Sequence, residues 1–377
     1  MNARTELVER IHSLPGSGVF AVTGGGAVLL ADLLTVPGAS ATVLEARVPY
    51  AGNALAEFIG AAPDQACSVQ TACDMAMAAF QRARALAPNE PQQRFGFGCT
   101  ASLASTSPKR GEHRAHFAMQ TLAETRTWSI VFAKGARDRA TEERLLADIG
   151  LSALAETFVL QPNLPLDLRA GEEIDGDRAA AAVGWDDILL GRIDAVPVNR
   201  ADTPKVLFPG AFNPLHDGHV AMARFAERHY GVPVAFEICA NNVDKARLNY
   251  IALRHRVSQF DASTPVWVTN TATFVEKARC FPGVKFVVGV DTASRIGEAK
   301  YYGNDAARLT SAVGELAALG CGFLVFGRTV NGRFTGLADI ALPDALRALC
   351  TAVPEAEFRH DVSSTELRKQ DHGIIRR

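Results

Sequence analysis

One unbroken stretch, VLFPGAFNPLHDGHVAMARFAERHY (Val206–Tyr230), runs from an apolar segment through a glycine–proline turn into an amphipathic helix. This order constrains the fold more than any other feature of the chain. An apolar run too short for a helix predicts a strand buried on both faces, and a helix directly after it predicts a βα unit of a parallel sheet. Gly210 permits close approach of backbone, and Pro214 fixes the turn. His216 and His219 are three residues apart at the start of the helix and therefore share a face. Helix N-termini carry unpaired N–H groups and partial positive charge, which makes them anion sites. Two imidazoles aimed at the same place add donors suited to phosphate oxygens, and phosphoryl or nucleotidyl transfer needs mainly positioning and charge neutralisation. A metal pair and ordinary surface histidines are the alternatives. The spacing offers no third metal ligand, and glycine, phenylalanine, asparagine and proline at fixed offsets make coincidence a poor explanation.

The rest of the chain repeats the pattern. Strands are expected at KVLF, VAFEICA, VWVT, KFVVGV and GFLVFG, with helices at HVAMARFAERHY, LRHRVSQF, TFVEKARCF, TSAVGELAAL and SSTELRKQ. Five strands separated by helices predict an α/β, doubly wound parallel sheet over 205–377, with ligands at the carboxyl ends of its strands. The N-terminal part also alternates, predicting a second α/β domain over 1–159. GVFAV, RFGFGCTASLAS and TWSIVFA read as strands; Ala27–Val36, Ser68–Ala87 and RATEERLLADIGLSALAE read as helices, with Ser68 as an N-cap. Between them, 160–204 is rich in Pro, Gly and Asp and is expected to be a partly ordered connector. Its EEIDGD run reads as a solvated turn, since the spacing fits no calcium loop.

Composition narrows the function classes. Among 377 residues, 39 Lys and Arg nearly balance 41 Asp and Glu, which argues against nucleic acid as the main partner. Seven scattered cysteines without a C-x-x-C pair point to reduced thiols rather than a disulfide frame or zinc site. No apolar run approaches the ~18 residues a membrane span needs, and the charged start is unlike a signal peptide. The expectation is a cytoplasmic protein with small-molecule nucleotide partners, no membrane or nucleic acid, and room for a homo-oligomer.

GAFNPLHDGH (Gly210–His219) resembles the G-x-F-x-P-x-H-x-G-H signature of the nucleotidyltransferase superfamily that includes the nicotinamide and nicotinate mononucleotide adenylyltransferases. VSSTELRK (Val362–Lys369) resembles that superfamily's I-S-S-T-x-I-R segment, with Ser363, Ser364, Thr365 and Arg368 in place. Read by itself, the segment is a capped helix start with a guanidinium one turn on. The resemblance implies adenylyl transfer from ATP, with Mg2+, to a pyridine mononucleotide. It implies catalytic roles for His216, His219, Lys245 and Arg368, and nucleotide contacts from Gly210, Ala211, Phe212, Gly218, Gly289, Asp291, Arg328, Ser363, Ser364 and Thr365. For Asp291 a helix N-cap is an equal alternative; Lys245 and Arg328 also read as solvated residues. The tryptophan usual after G-x-D in the pyridine-nucleotide enzymes is missing from DTASRIGEAKYYG, where Tyr301 and Tyr302 are the nearest aromatics.

VTGGGAVLLADLLTVPGASATVLEARVPY resembles the C-terminal domain of CinA, the nicotinamide mononucleotide deamidase family. Anchored on VPGAS (Val36–Ser40), the resemblance puts Thr23 at the family's nucleophilic serine and Gly26 on its second glycine. Tyr50 falls on the family's tyrosine and Leu55 on its lysine. A serine-type amidase needs a nucleophile and a base; leucine is no base, so the domain is expected to keep the fold, with Thr23, Gly24, Gly25, Gly26 and Tyr50 as its candidate site and deamidation in doubt.

Overall fold

The computed structural model describes residues 3–106, 110–200, 202–241, 246–330 and 332–360. Two compact units divide the chain, one of Met1–Asp186 with Asp244–Ala252, the other of Asp187–Val243 with Leu253–Arg377.

The first unit is built on a six-stranded sheet. Its elements are α1 (Ala3–His12), β1 (Ser17–Thr23), α2 (Ala27–Thr35), α3 (Ala39–Thr42), β2 (Val43–Arg47), α4 (Gly52–Ile59), α5 (Val69–Leu86), β3 (Arg94–Ser102), β4 (His113–Thr121), β5 (Glu124–Phe132), α6 (Arg139–Thr157) and β6 (Ile174–Ala180). The order is β2-β1-β3-β4-β5-β6. β1 pairs parallel to β2 and β3, whereas β3 to β6 are antiparallel neighbours. β1 is buried at all seven positions, as an apolar run flanked by helices should be. Helix α5 lies against β3 because Gly96 and Gly98 carry no Cβ. One added at Gly96 would stand 2.0 Å from the Ala76 carbonyl, and one at Gly98 2.4 Å from that of Ala72. The Oγ of Ser68 accepts from the Thr71 N–H at 3.1 Å, the cap expected for α5.

Three short regular elements fall within the expected connector. Residues 174–180, which begin inside the run read as a solvated turn, form the antiparallel edge strand β6 beside β5. Most of its side chains are exposed, and charged residues suit an edge strand because only its backbone needs a partner. Just before it, Glu172 makes a two-point ion pair with Arg137, both side chains 1% exposed.

The second unit holds α7 (Trp185–Leu190), which begins at its boundary, then β7 (Ala195–Pro197), β8 (Val206–Pro209), α8 (Asp217–Tyr230), β9 (Val234–Cys239), all of α9 (Tyr250–Val257) after Ala252, β10 (Val266–Thr269), α10 (Phe274–Cys280), β11 (Lys285–Gly289), α11 (Val290–Ile296), α12 (Ala306–Ala318), β12 (Gly322–Phe326), a hairpin of β13 (Arg328–Val330) and β14 (Arg333–Thr335), α13 (Asp344–Arg347) and β15 (Cys350–Val353). Its sheet runs β15-β12-β11-β8-β9-β10-β7. The expected five strands are all present and parallel, in the doubly wound order. β15 extends the sheet in parallel at one edge, and β7, from the expected connector, closes the other antiparallel to β10.

The order reverses between β8 and β11, and there the pairing is short. Val206 faces Lys285 and Leu207 faces Phe286, while β11 continues unpaired with β8 to Gly289. Such a switch point opens a crevice at the carboxyl ends of the strands.

Candidate functional site

The loop from β8 to α8 leads out of that crevice. Its conformation is set by side chains behind it. Gln259 accepts from the Leu215 N–H at 2.7 Å and donates to the Phe212 carbonyl at 2.8 Å. The Nε of Arg256 donates to the Ala211 carbonyl at 2.9 Å. The peptide between Asn213 and Pro214 is cis. Phe212, expected among the nucleotide contacts, is a core residue. It is 1% exposed and makes edge contacts with Phe208, Phe236 and Phe260. Gly210 leaves room for that ring, since a Cβ there would stand 2.5 Å from it. The apolar character of phenylalanine is the sequence signal for this packing role.

His216 is the N-cap of α8 and His219 its third residue. The rings stack with centroids 3.6 Å apart and planes 21° apart. The Nδ1 of His219 accepts from the His216 N–H at 3.3 Å. That contact fixes the tautomer, leaving Nε2–H as the His219 donor. Burial, with His216 beside it, pushes the His219 pKa down to about 3, and burial lowers that of His216 as well. Both rings are therefore neutral donors near neutral pH. The Nδ1 of His216 is buried without a hydrogen-bond partner, an unusual condition that a bound oxygen would relieve.

Gly289 caps α11 at the end of β11, and nothing lies within 4 Å of where its Cβ would be. Asp291 is thus not the N-cap; it stands in the first turn and pairs with Arg328 at 3.0 Å. Both side chains are about half exposed, so the pair is weak and easily exchanged for a ligand. These two expected residues meet at the carboxyl ends of the adjacent strands β11 and β12. Lys245, Ser363, Ser364, Thr365 and Arg368 lie outside the described residues. No group of three or more metal-ligating side chains forms among the described residues.

The candidate site of the first unit differs. Gly24 and Gly26 adopt positive φ in the turn after β1, and Gly26 caps α2. A carboxylate already occupies the helix start: Glu143 Oε1 accepts from the N–H groups of Gly26 at 2.8 Å and Val28 at 3.2 Å. Thr23 is 7% exposed and its hydroxyl donates to the Pro49 carbonyl at 2.9 Å. Leu55 is 2% exposed in the core. Tyr50, 66% exposed, lines a cleft of about 240 Å³ together with Gly24, Gly25, Arg139 and Glu143. Glu143 and Gln259 escaped the sequence reading, because nothing local marks a side chain whose partners are some 40 to 117 residues away.

No helix among the described residues is long and apolar enough to cross a membrane. No curated protein matches the chain by sequence. Among solved structures, the N-terminal part is similar to the competence/damage inducible protein CihA from Agrobacterium tumefaciens, at 22% identity over 42% of this chain and 96% of that one, TM-score 0.33. It is also similar to a competence or damage-inducible protein from Enterobacter asburiae, at 19% identity over 42% and 99%, TM-score 0.34. A CinA superfamily protein from Escherichia coli is 18% identical over 42% and 87%, TM-score 0.32. Residues 207–370 match the family model described as cytidylyltransferase-like, and that match spans the histidine pair, the β8–β11 crevice and the Asp291–Arg328 pair. The C-terminal part of the chain is a cytidylyltransferase-like domain, a family that supports nucleotidyl transfer.

Proposed function

We propose that the chain is a nucleotidyltransferase that moves the adenylyl group of ATP onto nicotinamide or nicotinate mononucleotide. An oxygen of the acceptor phosphate attacks the α-phosphorus, the bond from that phosphorus to the bridging oxygen breaks, and pyrophosphate leaves. The observation that carries this reading is the stacked pair of neutral imidazoles at the start of α8, beside the gap between β8 and β11. His219, through Nε2–H, is the donor best suited to the charge that develops on the phosphoryl oxygens, and His216 holds a neighbouring oxygen through its unpartnered Nδ1. Arg328 exchanges Asp291 for a phosphate or ribose oxygen of the nucleotide. Magnesium would arrive on the triphosphate, where it neutralises charge on the leaving phosphates.

The acceptor assignment draws on the resemblance of both halves to families that handle the same mononucleotide. The first unit does not favour a deamidase. Its threonine hydroxyl is bound to a carbonyl, its leucine is no base, and its helix start is filled by Glu143. One incubation with Mg-ATP and a panel of phosphorylated acceptors, following pyrophosphate, dinucleotide and ammonia together, tests the reading. Dinucleotide and pyrophosphate without ammonia are expected. Ammonia alone would assign the chemistry to the first unit, and transfer to another phosphate acceptor would retain the reaction and replace the substrate.

A further inference from the structure

The roles assigned so far leave one ring at the site unused. His360 follows β15, and its Nδ1 is buried without a partner, as is that of His216. Gly218 shows how the two nitrogens are related. A Cβ built on Gly218 would stand 3.1 Å from the Nδ1 of His216 and 3.4 Å from the Nδ1 of His360. The two nitrogens therefore face the same side of the first turn of α8, no more than about 6.5 Å apart. A side chain at 218 would press on both rings, and glycine lets them approach the helix this closely.

The position of His360 is built rather than incidental. Its ring lies 6.4 Å from that of Phe358 and nearly parallel to it. Phe358 in turn packs edge-on against Phe326 of β12 at 4.8 Å and Phe225 of α8 at 6.1 Å. An aromatic wedge thus holds His360 against the helix whose N-terminus carries the other two histidines. Two ring nitrogens without partners cost stability unless something accepts from them. Among the described residues no third ligand completes a metal site with them. The helix start favours negative charge at the same point. An oxygen of an anionic ligand satisfies all three conditions.

We propose that His360 is a third phosphate-binding residue, which closes with His216 on one oxygen of a polyphosphate over Gly218. The proposal rests on the reading of α8 as a nucleotide phosphate site but not on the identity of the acceptor. Each ring donates one N–H to that oxygen, while His219 serves a neighbouring oxygen through Nε2.

Calorimetric titration of the full chain with inorganic tripolyphosphate, and separately with ATP, tests the assignment in wild type, His360→Ala, His360→Asn and Gly218→Ala. Circular dichroism establishes that each variant is folded. His360→Ala and Gly218→Ala are expected to weaken tripolyphosphate binding by about ten- to a hundredfold, the loss of a charge-assisted hydrogen bond. Asparagine can place an N–H near where Nδ1 stands, so His360→Asn is expected to recover most of the affinity. Unchanged affinity in His360→Ala overturns the proposal, and so does equal weakening in the alanine and asparagine variants, which would mark a packing role. Failure of the wild type to bind tripolyphosphate overturns it as well. If the wild type binds tripolyphosphate with the expected pattern yet transfers no nucleotide to any acceptor, His360 keeps its role and the transferase reading falls.

Discussion

The chain contains two strand–glycine turn–helix units that look alike as sequence and end in opposite states. At α8 the turn ends in His216 and His219, and a buried ring nitrogen faces the first helical turn without a partner. At α2 the turn ends in Gly24–Gly26, and the N–H groups of Gly26 and Val28 already donate to Glu143. A helix N-terminus is an anion site in both cases. In one unit the chain supplies that anion itself, and in the other it places two imidazoles, one with an unpartnered ring nitrogen. A glycine turn before a helix thus predicts where an anion goes and not whose anion it is.

The largest effect that tests this contrast is on turnover. His219→Ala is expected to lower it by about two to three orders of magnitude, the usual consequence of removing a donor to developing phosphoryl charge. Wild-type rates of pyrophosphate release in that variant would remove the open helix start from the chemistry altogether.

Acid stability comes next. The His219 pKa is lowered from 6.5 to about 3 by burial and by His216. The unfolded chain therefore binds more protons than the folded one between those values. The stability from keeping His219 neutral is complete above about pH 6.5 and is lost as the pH falls towards 3. Acid unfolding followed by tryptophan fluorescence should show this loss in wild type. His219→Gln, which does not titrate, should show a shallower slope over the same window, and identical slopes would mean that burial does not control the ring.

Glu143→Ala addresses the closed start. Loss of a cap to two N–H groups is expected to destabilise the first unit by about 1–2 kcal/mol. Inorganic phosphate, filling the vacated place, should return part of that loss in thermal unfolding. A variant as stable as wild type would show that the carboxylate is not what holds the turn. Smallest is Ser68→Ala, which removes the α5 cap and should cost about 1 kcal/mol without changing phosphate binding or turnover.

Much of this molecule was legible residue by residue. The five apolar runs of the second unit became five of its six parallel strands because a strand buried on both faces needs unbroken apolar sequence. Ser68 was legible because a cap acts within three residues. β6 was not, since IDGDRAA carries charges that only an edge position tolerates, and the edge is defined by β5. The pairing of Asp291 with Arg328 was half legible. Each residue stands in a motif of its own, and the adjacency of β11 and β12 makes them partners.

Local order and periodicity by themselves determined the βα units, the ends of the strands and the shared face of His216 and His219, because each depends on residues within one or two turns. Tertiary structure alone decided that Glu143 occupies one helix start, that His360 stands over the other, and that Phe212 belongs to the core. Those outcomes depend on contacts between residues more than a hundred positions apart for both helix starts, and on the packing of an aromatic cluster for Phe212. No local pattern encodes a partner at such separation, and only the closed fold brings it near.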